Sequence, residues 1–133
     1  MPTKPTTSVP DTGAPQTLDH VCGVDIVTAL ARFGGDEALY RRWLSDFVAT
    51  ADAYTEEIRN HIAAGQIDIA TKIVHTRKGR VGALGMTSLH AAFSQLEQAL
   101  RQGVSADAHL VSLTKSLEEM HGELEKVGIT RRN

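Results

Sequence analysis

Apolar side chains recur at steps of three and four residues along most of this chain, and glycines divide the pattern into five segments. Such steps place the apolar residues along one side of a helix, so each segment predicts an amphipathic helix. We predict helices at residues 24–33, 36–62, 67–84, 87–102 and 107–127. Neither the alternation typical of strands nor an internal repeat appears. Four long helices with short connections predict an all-α fold, an antiparallel four-helix bundle with a short additional N-terminal helix.

The residues that we expect in the core share these helical steps. They are Ile26, Val27, Leu30 and Phe33 in the first helix; Leu39, Trp43, Phe47, Ala51, Tyr54, Ile58 and Ile62 in the second; Ile69, Ala70, Ile73, Val74, Val81 and Leu84 in the third; Leu89, Phe93, Leu96 and Leu100 in the fourth; and Leu110, Leu113, Leu117, Met120, Leu124 and Val127 in the fifth. The steps of the fifth helix alternate between three and four, which is typical of the seam of a bundle.

The first 17 residues differ from the rest of the chain in composition. They hold all four prolines and many threonines, with hardly any apolar side chain. Such a composition predicts a flexible tail or the remnant of a linker. No proline occurs from residue 16 to residue 133, which favours uninterrupted helices. We therefore expect a tail at residues 1–17 and one helical bundle domain at residues 18–133.

The composition is that of an ordinary globular protein. A length of 133 residues suits one domain, and 41% hydrophobic with 23% charged residues indicates a soluble chain. A formal net charge of −2 gives no reason to expect nucleic-acid binding. Cys22 is the single cysteine, so no internal disulfide can form. Without a signal-peptide pattern or a long apolar run, we expect a cytoplasmic protein that does not insert into membranes.

The most unusual segment begins at His75, where glycines recur at intervals of three inside a predicted helix. Each helix-interior glycine costs about 1 kcal/mol relative to alanine, so their presence needs a reason. At about 100° per residue, His75, Lys78, Gly79 and Gly82 share one narrow face. Neutral imidazole is a nitrogen nucleophile, and a lysine ammonium suits phosphate oxygens, so this face suits phosphoryl transfer. The structural alternatives are a solvated histidine, a solvated lysine and glycines that allow close helix packing.

The sequence His75-x-x-Lys78-Gly79, followed by Gly82 and Gly85, resembles the phosphoacceptor motif of histidine-containing phosphotransfer (HPt) domains of multistep two-component phosphorelays. The flanking helices resemble the same family, upstream from Gly35 to Tyr40 with Phe47, and downstream at Leu89, Phe93, Leu96, Glu97, Ala99 and Leu100. The resemblance covers roughly residues 24–127, and it implies that the short first helix lies across one end of the bundle.

The resemblance implies that His75 accepts a phosphoryl group from a receiver-domain aspartate and passes it to another receiver, while Lys78 stabilises the phosphoryl oxygens. From the residues themselves, we expect Gly79 and Gly82 to let the partner approach and the basic Arg80 and Lys72 to contact it. The expected partners are response-regulator receiver domains, among them that of a hybrid histidine kinase. The chain would be a monomeric phosphoryl carrier rather than a self-contained kinase. It would have no cofactor of its own, and magnesium would belong to the receiver.

Two arginines depart from the family pattern. Arg77 falls on the apolar side of its helix, where its stem would lie along the core with the head outward, or it would pair with a carboxylate such as Glu97. Arg80 stands where small residues are common. Alternatively, Arg77 and Arg80 form a basic collar with Lys72 that selects an acidic receiver surface. These departures leave a second hypothesis, an adaptor bundle that binds a receiver domain without phosphoryl transfer.

A metal-binding bundle is the third and weakest hypothesis. Glu118-x-x-His121 has the spacing of a carboxylate-bundle metal motif. Di-iron sites of this kind need a second copy of the motif and two further glutamates, and the sequence has no second copy. We therefore expect no metal site.

Overall fold

The structure is a computed structural model that describes residues 21–129. Within this range the chain forms five helices: α1 (Ile26–Arg32), α2 (Glu37–Ala63), α3 (Ile67–Ala83), α4 (Thr87–Gln102) and α5 (Asp107–Glu125). Across the same range, strand-like backbone pairing is limited to an isolated antiparallel β-bridge between Val24 and Met86. The all-α prediction is confirmed, and each predicted helix is found within two residues of its expected ends. The predicted tail at residues 1–17 lies outside the described part of the chain.

Side-chain caps and glycines set the helix ends. Asp25 accepts a hydrogen bond from the Thr28 amide at 3.2 Å, and Asp36 accepts one from the Leu39 amide at 3.0 Å. Both aspartates thereby satisfy amides that have no partner within the first turn of a helix. Gly103 ends α4 with a φ of 72°, a left-handed conformation that glycine adopts without strain.

The four long helices enclose one core. Each packs against its neighbour in the chain, and α5 closes the bundle against α2. The largest completely buried side chains share this interior: Tyr40, Phe93, Leu44, Ile58, Leu84, Met86, Leu89, Leu96, Leu113, Leu124, Val74 and Val81. None of the described helices has the length and hydropathy that a membrane span requires.

The short helix α1 is fastened to the end of the bundle where α3 turns into α4. The Asp25 amide donates to the Gly85 carbonyl at 2.7 Å, and Arg32 Nη1 donates to the carbonyls of Gly82 at 2.8 Å and Ala83 at 3.2 Å. Gly85 has a φ of 80°, and a Cβ there would lie 2.6 Å from the Asp25 carbonyl oxygen. Gly85 therefore serves the turn and the close approach of α1.

The predicted buried face of α2 is wrong in its first two turns. Leu39 and Trp43 are 38% and 40% exposed, whereas Tyr40 and Leu44 are buried. Both pairs continue the helical steps toward Phe47, so two neighbouring apolar stripes fit the sequence equally well. The Tyr40 hydroxyl donates to the Leu84 carbonyl at 2.7 Å, which fixes the inner stripe. Burial, followed by the charge of Asp25, raises the pKa of Tyr40 to about 12.

Two further core predictions are also wrong. Val27 on α1 and Ile69 on α3 are exposed. On α1 the small side chain of Ala29 is completely buried instead, because it allows α1 to approach the Gly85 turn closely. By contrast, every apolar residue predicted for the cores of α4 and α5 is buried.

Candidate functional site

His75 lies in the middle of α3, on the side that faces the edge of α4. Its side chain is 61% exposed, and its Nδ1 atom lies 2.9 Å from Oε2 of Glu97, whose side chain is only 7% exposed. Glu97 belongs to α4, so the contact depends on the packing of these two helices. One edge of the imidazole is thus held by the protein while the ring as a whole is open to solvent.

Glu97 is the centre of a cluster of charged side chains. Lys78 Nζ lies 2.7 Å from its Oε1 atom, while Arg101 reaches Oε2 with Nη2 at 2.6 Å and Nε at 3.0 Å. Arg101 is one helical turn after Glu97, which puts the two side chains on the same face of α4. A buried carboxylate requires such partners, because an unpaired buried charge is strongly destabilising.

These contacts determine the ionisation of Glu97. The Lys78 ammonium, with further contributions from Arg101 and His75, lowers the pKa of Glu97 to about 2, although burial acts in the opposite direction. The carboxylate is therefore ionised near neutral pH and can only accept hydrogen bonds. It follows that His75 Nδ1 carries the proton in its contact with Glu97. The neutral ring then has its lone pair on Nε2, the nitrogen on the side away from Glu97.

The glycines of α3 differ in their surroundings. A Cβ built on Gly79 would meet no heavy atom of the described residues within 4 Å, so this position leaves open space one turn after His75. A Cβ on Gly82 would lie 3.1 Å from Cδ2 of His90 on α4. The geometry at Gly82 favours the close-packing alternative, while that at Gly79 favours access.

The three basic residues that could form a collar near His75 have different surroundings. The Arg77 guanidinium lies 3.4 Å above the centroid of the Tyr54 ring on α2, and among the described residues its buried Nε has no hydrogen-bond partner. Arg77 is therefore half-buried against an aromatic ring, and of its two structural alternatives the pairing with Glu97 is not formed. Arg80 is exposed, with its guanidinium 5.6 Å from the centroid of the Trp43 ring. Lys72 is exposed beside a groove of ≈ 750 Å³ that His75 also lines.

Sequence reasoning missed two members of the site, Glu97 and Arg101. From the sequence, Glu97 was noted only as part of the family resemblance and as a candidate partner for Arg77. A signal was present, because Glu97 lies between Leu96 and Leu100 on the apolar side of α4, where an acidic residue needs a cationic partner. Arg101, four residues later, is one such partner within the same helix.

The third hypothesis finds no support in the described residues. Among residues 21–129, no group of three or more His, Cys, Asp and Glu side chains could hold a metal ion. His121 contacts Glu125 instead, with Nε2 and Oε2 at 3.5 Å.

Comparison with known proteins gives a match to one family. The family model described as the Hpt domain matches residues 42–127, well over half of the chain. The matched range contains α3 and α4 complete, and with them His75, Lys78, Glu97 and Arg101. No curated protein and no solved structure shows a significant match to the chain.

Proposed function

The chain belongs to the Hpt domain family, and from that premise we propose that it carries phosphoryl groups on His75 between receiver domains. Histidine phosphotransfer in phosphorelays, through contact with receiver domains, is the role that the family implies. The single observation that supports His75 as the acceptor is its contact with Glu97 at 2.9 Å. This contact leaves the lone pair of the neutral ring on Nε2, in a side chain that is 61% exposed, and a nucleophile requires such a lone pair.

Uptake of the phosphoryl group begins with Nε2. The Nε2 lone pair attacks the phosphorus of a receiver aspartyl phosphate, the bond from phosphorus to the aspartate oxygen breaks, and its electrons leave with the carboxylate. Because Nδ1 keeps its proton, the ring becomes positively charged as the Nε2–P bond forms. Glu97 is ionised and lies beside Nδ1, so it stabilises this charge where it develops.

Release of the phosphoryl group uses the same contact. An aspartate of the next receiver attacks the phosphorus, the Nε2–P bond breaks, and its electrons return to Nε2. Since Glu97 keeps the proton on Nδ1, the leaving group is a neutral imidazole rather than an imidazolate anion. One carboxylate therefore supports transfer in both directions, as a relay intermediate requires.

Lys78 supplies positive charge to the transferred group. Its ammonium has three donors, and the ion pair with Glu97 Oε1 at 2.7 Å holds it on the His75 face. The remaining donors can bind equatorial oxygens of the phosphoryl group, where this reaction depends on positioning and charge. Magnesium and the aspartate that gives or takes the phosphoryl group belong to the receiver in this proposal.

The docking surface that we propose continues from His75 onto α1 and α2. Gly79 leaves room beside the nucleophile, and the guanidinium of Arg80, the next residue, lies 5.6 Å from the centroid of the Trp43 ring on α2. Val27 on α1 and Leu39 on α2 are also exposed. Exposed apolar side chains bordered by basic groups suit a receiver surface of mixed apolar and acidic character, with Lys72 at the far side of His75.

The test is phosphoryl transfer from a labelled receiver domain to the purified protein. We expect label on the wild type and on His90→Gln, but none on His75→Gln, because only the last variant lacks the nucleophilic nitrogen. His90 is a matched control, since it is an exposed histidine on the neighbouring helix α4. Label that persists on His75→Gln would refute His75 as the acceptor. Receivers that bind the wild type without labelling it would instead support the adaptor hypothesis.

A further inference from the structure

One carboxylate oxygen of Glu97, Oε2, is approached by three nitrogen atoms. His75 Nδ1 at 2.9 Å and the Nε and Nη2 atoms of Arg101 at 3.0 and 2.6 Å all approach Oε2. A carboxylate oxygen offers about two lone-pair positions, so these three nitrogens share them. The guanidinium has five N–H donors in a rigid fork, of which only two point at Glu97. Arg101 therefore has donors available for a second acceptor without leaving Glu97.

Arg101 shares both a contact atom and a groove with His75. Its side chain is 59% exposed and contacts the same oxygen atom as His75 Nδ1. Arg101 and His75 also line the same groove of ≈ 750 Å³, together with Lys72 and Thr76. Lys78 is less exposed, at 24%, and contacts the other oxygen of Glu97. The two cations are thus attached to opposite oxygens of one carboxylate.

Phosphorylation changes the charge balance of this cluster. A phosphoryl group near neutral pH brings about two negative charges, here next to an ionised carboxylate. The Lys78 ammonium and the positively charged His75 ring together offset Glu97 and only one of the two phosphoryl charges, so one negative charge is left unbalanced. A second cation that is already attached to the cluster can offset this charge without a large rearrangement.

Resting on the proposed function, we propose that Arg101 is a second phosphoryl-binding residue of this chain. It donates from its free guanidinium N–H groups to an oxygen of the phosphoryl group on His75, while Glu97 holds its Nε and Nη2 atoms. Lys78 and Arg101 then bind the group from two sides. Arg101 belongs to the reacting state, in addition to its contact with Glu97 in the unphosphorylated protein.

The experiment loads the protein from a phosphorylated receiver domain, removes the receiver, and follows the phosphorus-31 resonance of phosphorylated His75 through a pH titration. The variant is Arg101→Gln, which keeps a hydrogen-bonding side chain but removes the charge. Arg59→Gln is the matched control. Arg59 pairs with Glu56 at 3.4 Å on α2, so this substitution removes the same charge from a different part of the surface. Arg101→Lys tests whether charge alone restores the wild-type behaviour.

We expect Arg101→Gln to move the midpoint of the phosphoryl titration to higher pH by about one unit, because a nearby cation favours the doubly charged form. Arg59→Gln should match the wild type, and Arg101→Lys should recover part of the shift. A midpoint of Arg101→Gln equal to that of Arg59→Gln would overturn the inference, even with slower transfer, because that result is expected if Arg101 only holds Glu97. A wild type that takes up no phosphoryl group from receivers would instead overturn the proposed function on which the inference rests.

Discussion

Two histidine–carboxylate pairs of this bundle differ in almost every respect that matters for chemistry. His75 contacts a buried glutamate on the neighbouring helix at 2.9 Å, whereas His121 contacts Glu125 one turn later on its own helix at 3.5 Å. Glu97 also binds two cations, which hold its pKa far below the usual range. Glu125 is largely exposed. The two pairs contain the same chemical groups, and burial with cross-helix packing is what holds the imidazole of His75 in one orientation.

The largest expected effect separates the two carboxylates. Glu97→Gln should lower the rate of phosphoryl transfer from a receiver by about a hundredfold, the size of effect that a lost charge-stabilising contact has at a reacting group. Glu125→Gln should leave the rate unchanged, because an exposed pair contributes little. Rapid-quench transfer assays on both variants provide the measurement. Equal rates for the two variants would show that the His75 pair is no different from the His121 pair.

A smaller effect is expected for the cation on the His75 face. Lys78→Ala should slow transfer by roughly tenfold while leaving receiver affinity nearly unchanged, because the ammonium acts on the transferred group. Lys126→Ala is the control, since Lys126 pairs with Glu123 at 3.0 Å on the exposed surface of the α5 end. Single-turnover kinetics at saturating receiver separate the two steps. A loss of affinity with an unchanged maximal rate would assign Lys78 to docking instead.

The smallest effect concerns stability in acid. The pKa of Glu97 is about 2 in the folded protein, compared with 4.5 as its ordinary value. A carboxyl group with a lowered folded pKa stabilises the fold above its unfolded pKa, and this contribution is lost as the pH falls toward the folded value. The melting temperature should therefore fall between about pH 5 and pH 2. Thermal melts of Glu97→Gln should show a weaker dependence on pH in this window than those of Glu125→Gln, and parallel curves would contradict the account.

Much of the fold could be predicted from the sequence because glycines mark the ends of its helices clearly. Gly65 and Gly103 separate helices where they were expected, and the seam of α5 allows only one buried face. The start of α2 could not be assigned, because Leu39 with Trp43 and Tyr40 with Leu44 form neighbouring apolar stripes. The choice between them depends on the Leu84 carbonyl, which only the folded bundle brings to Tyr40.

The site was predictable on one helix but not across two. The spacing of His75, Lys78 and Gly79 can be read from the geometry of a single helix. The contact from His75 to Glu97 joins residues 22 positions apart in sequence, and it depends on the rotation of α4 against α3. Local spacing carries no information about that rotation. The unexpected position of Arg77 over Tyr54 has the same origin, since its partner belongs to α2.

Nitrogen-15 NMR of the His75 ring tests the central claim most directly, because it identifies which nitrogen carries the proton and which carries phosphorus. The account predicts a proton on Nδ1 of the neutral ring and, after loading from a phosphorylated receiver, phosphorus coupling at Nε2. Glu97→Gln should weaken the preference for the Nδ1 proton, and Glu125→Gln should preserve it. A neutral ring with its proton on Nε2, or a phosphoryl group on Nδ1, would contradict the role assigned to Glu97.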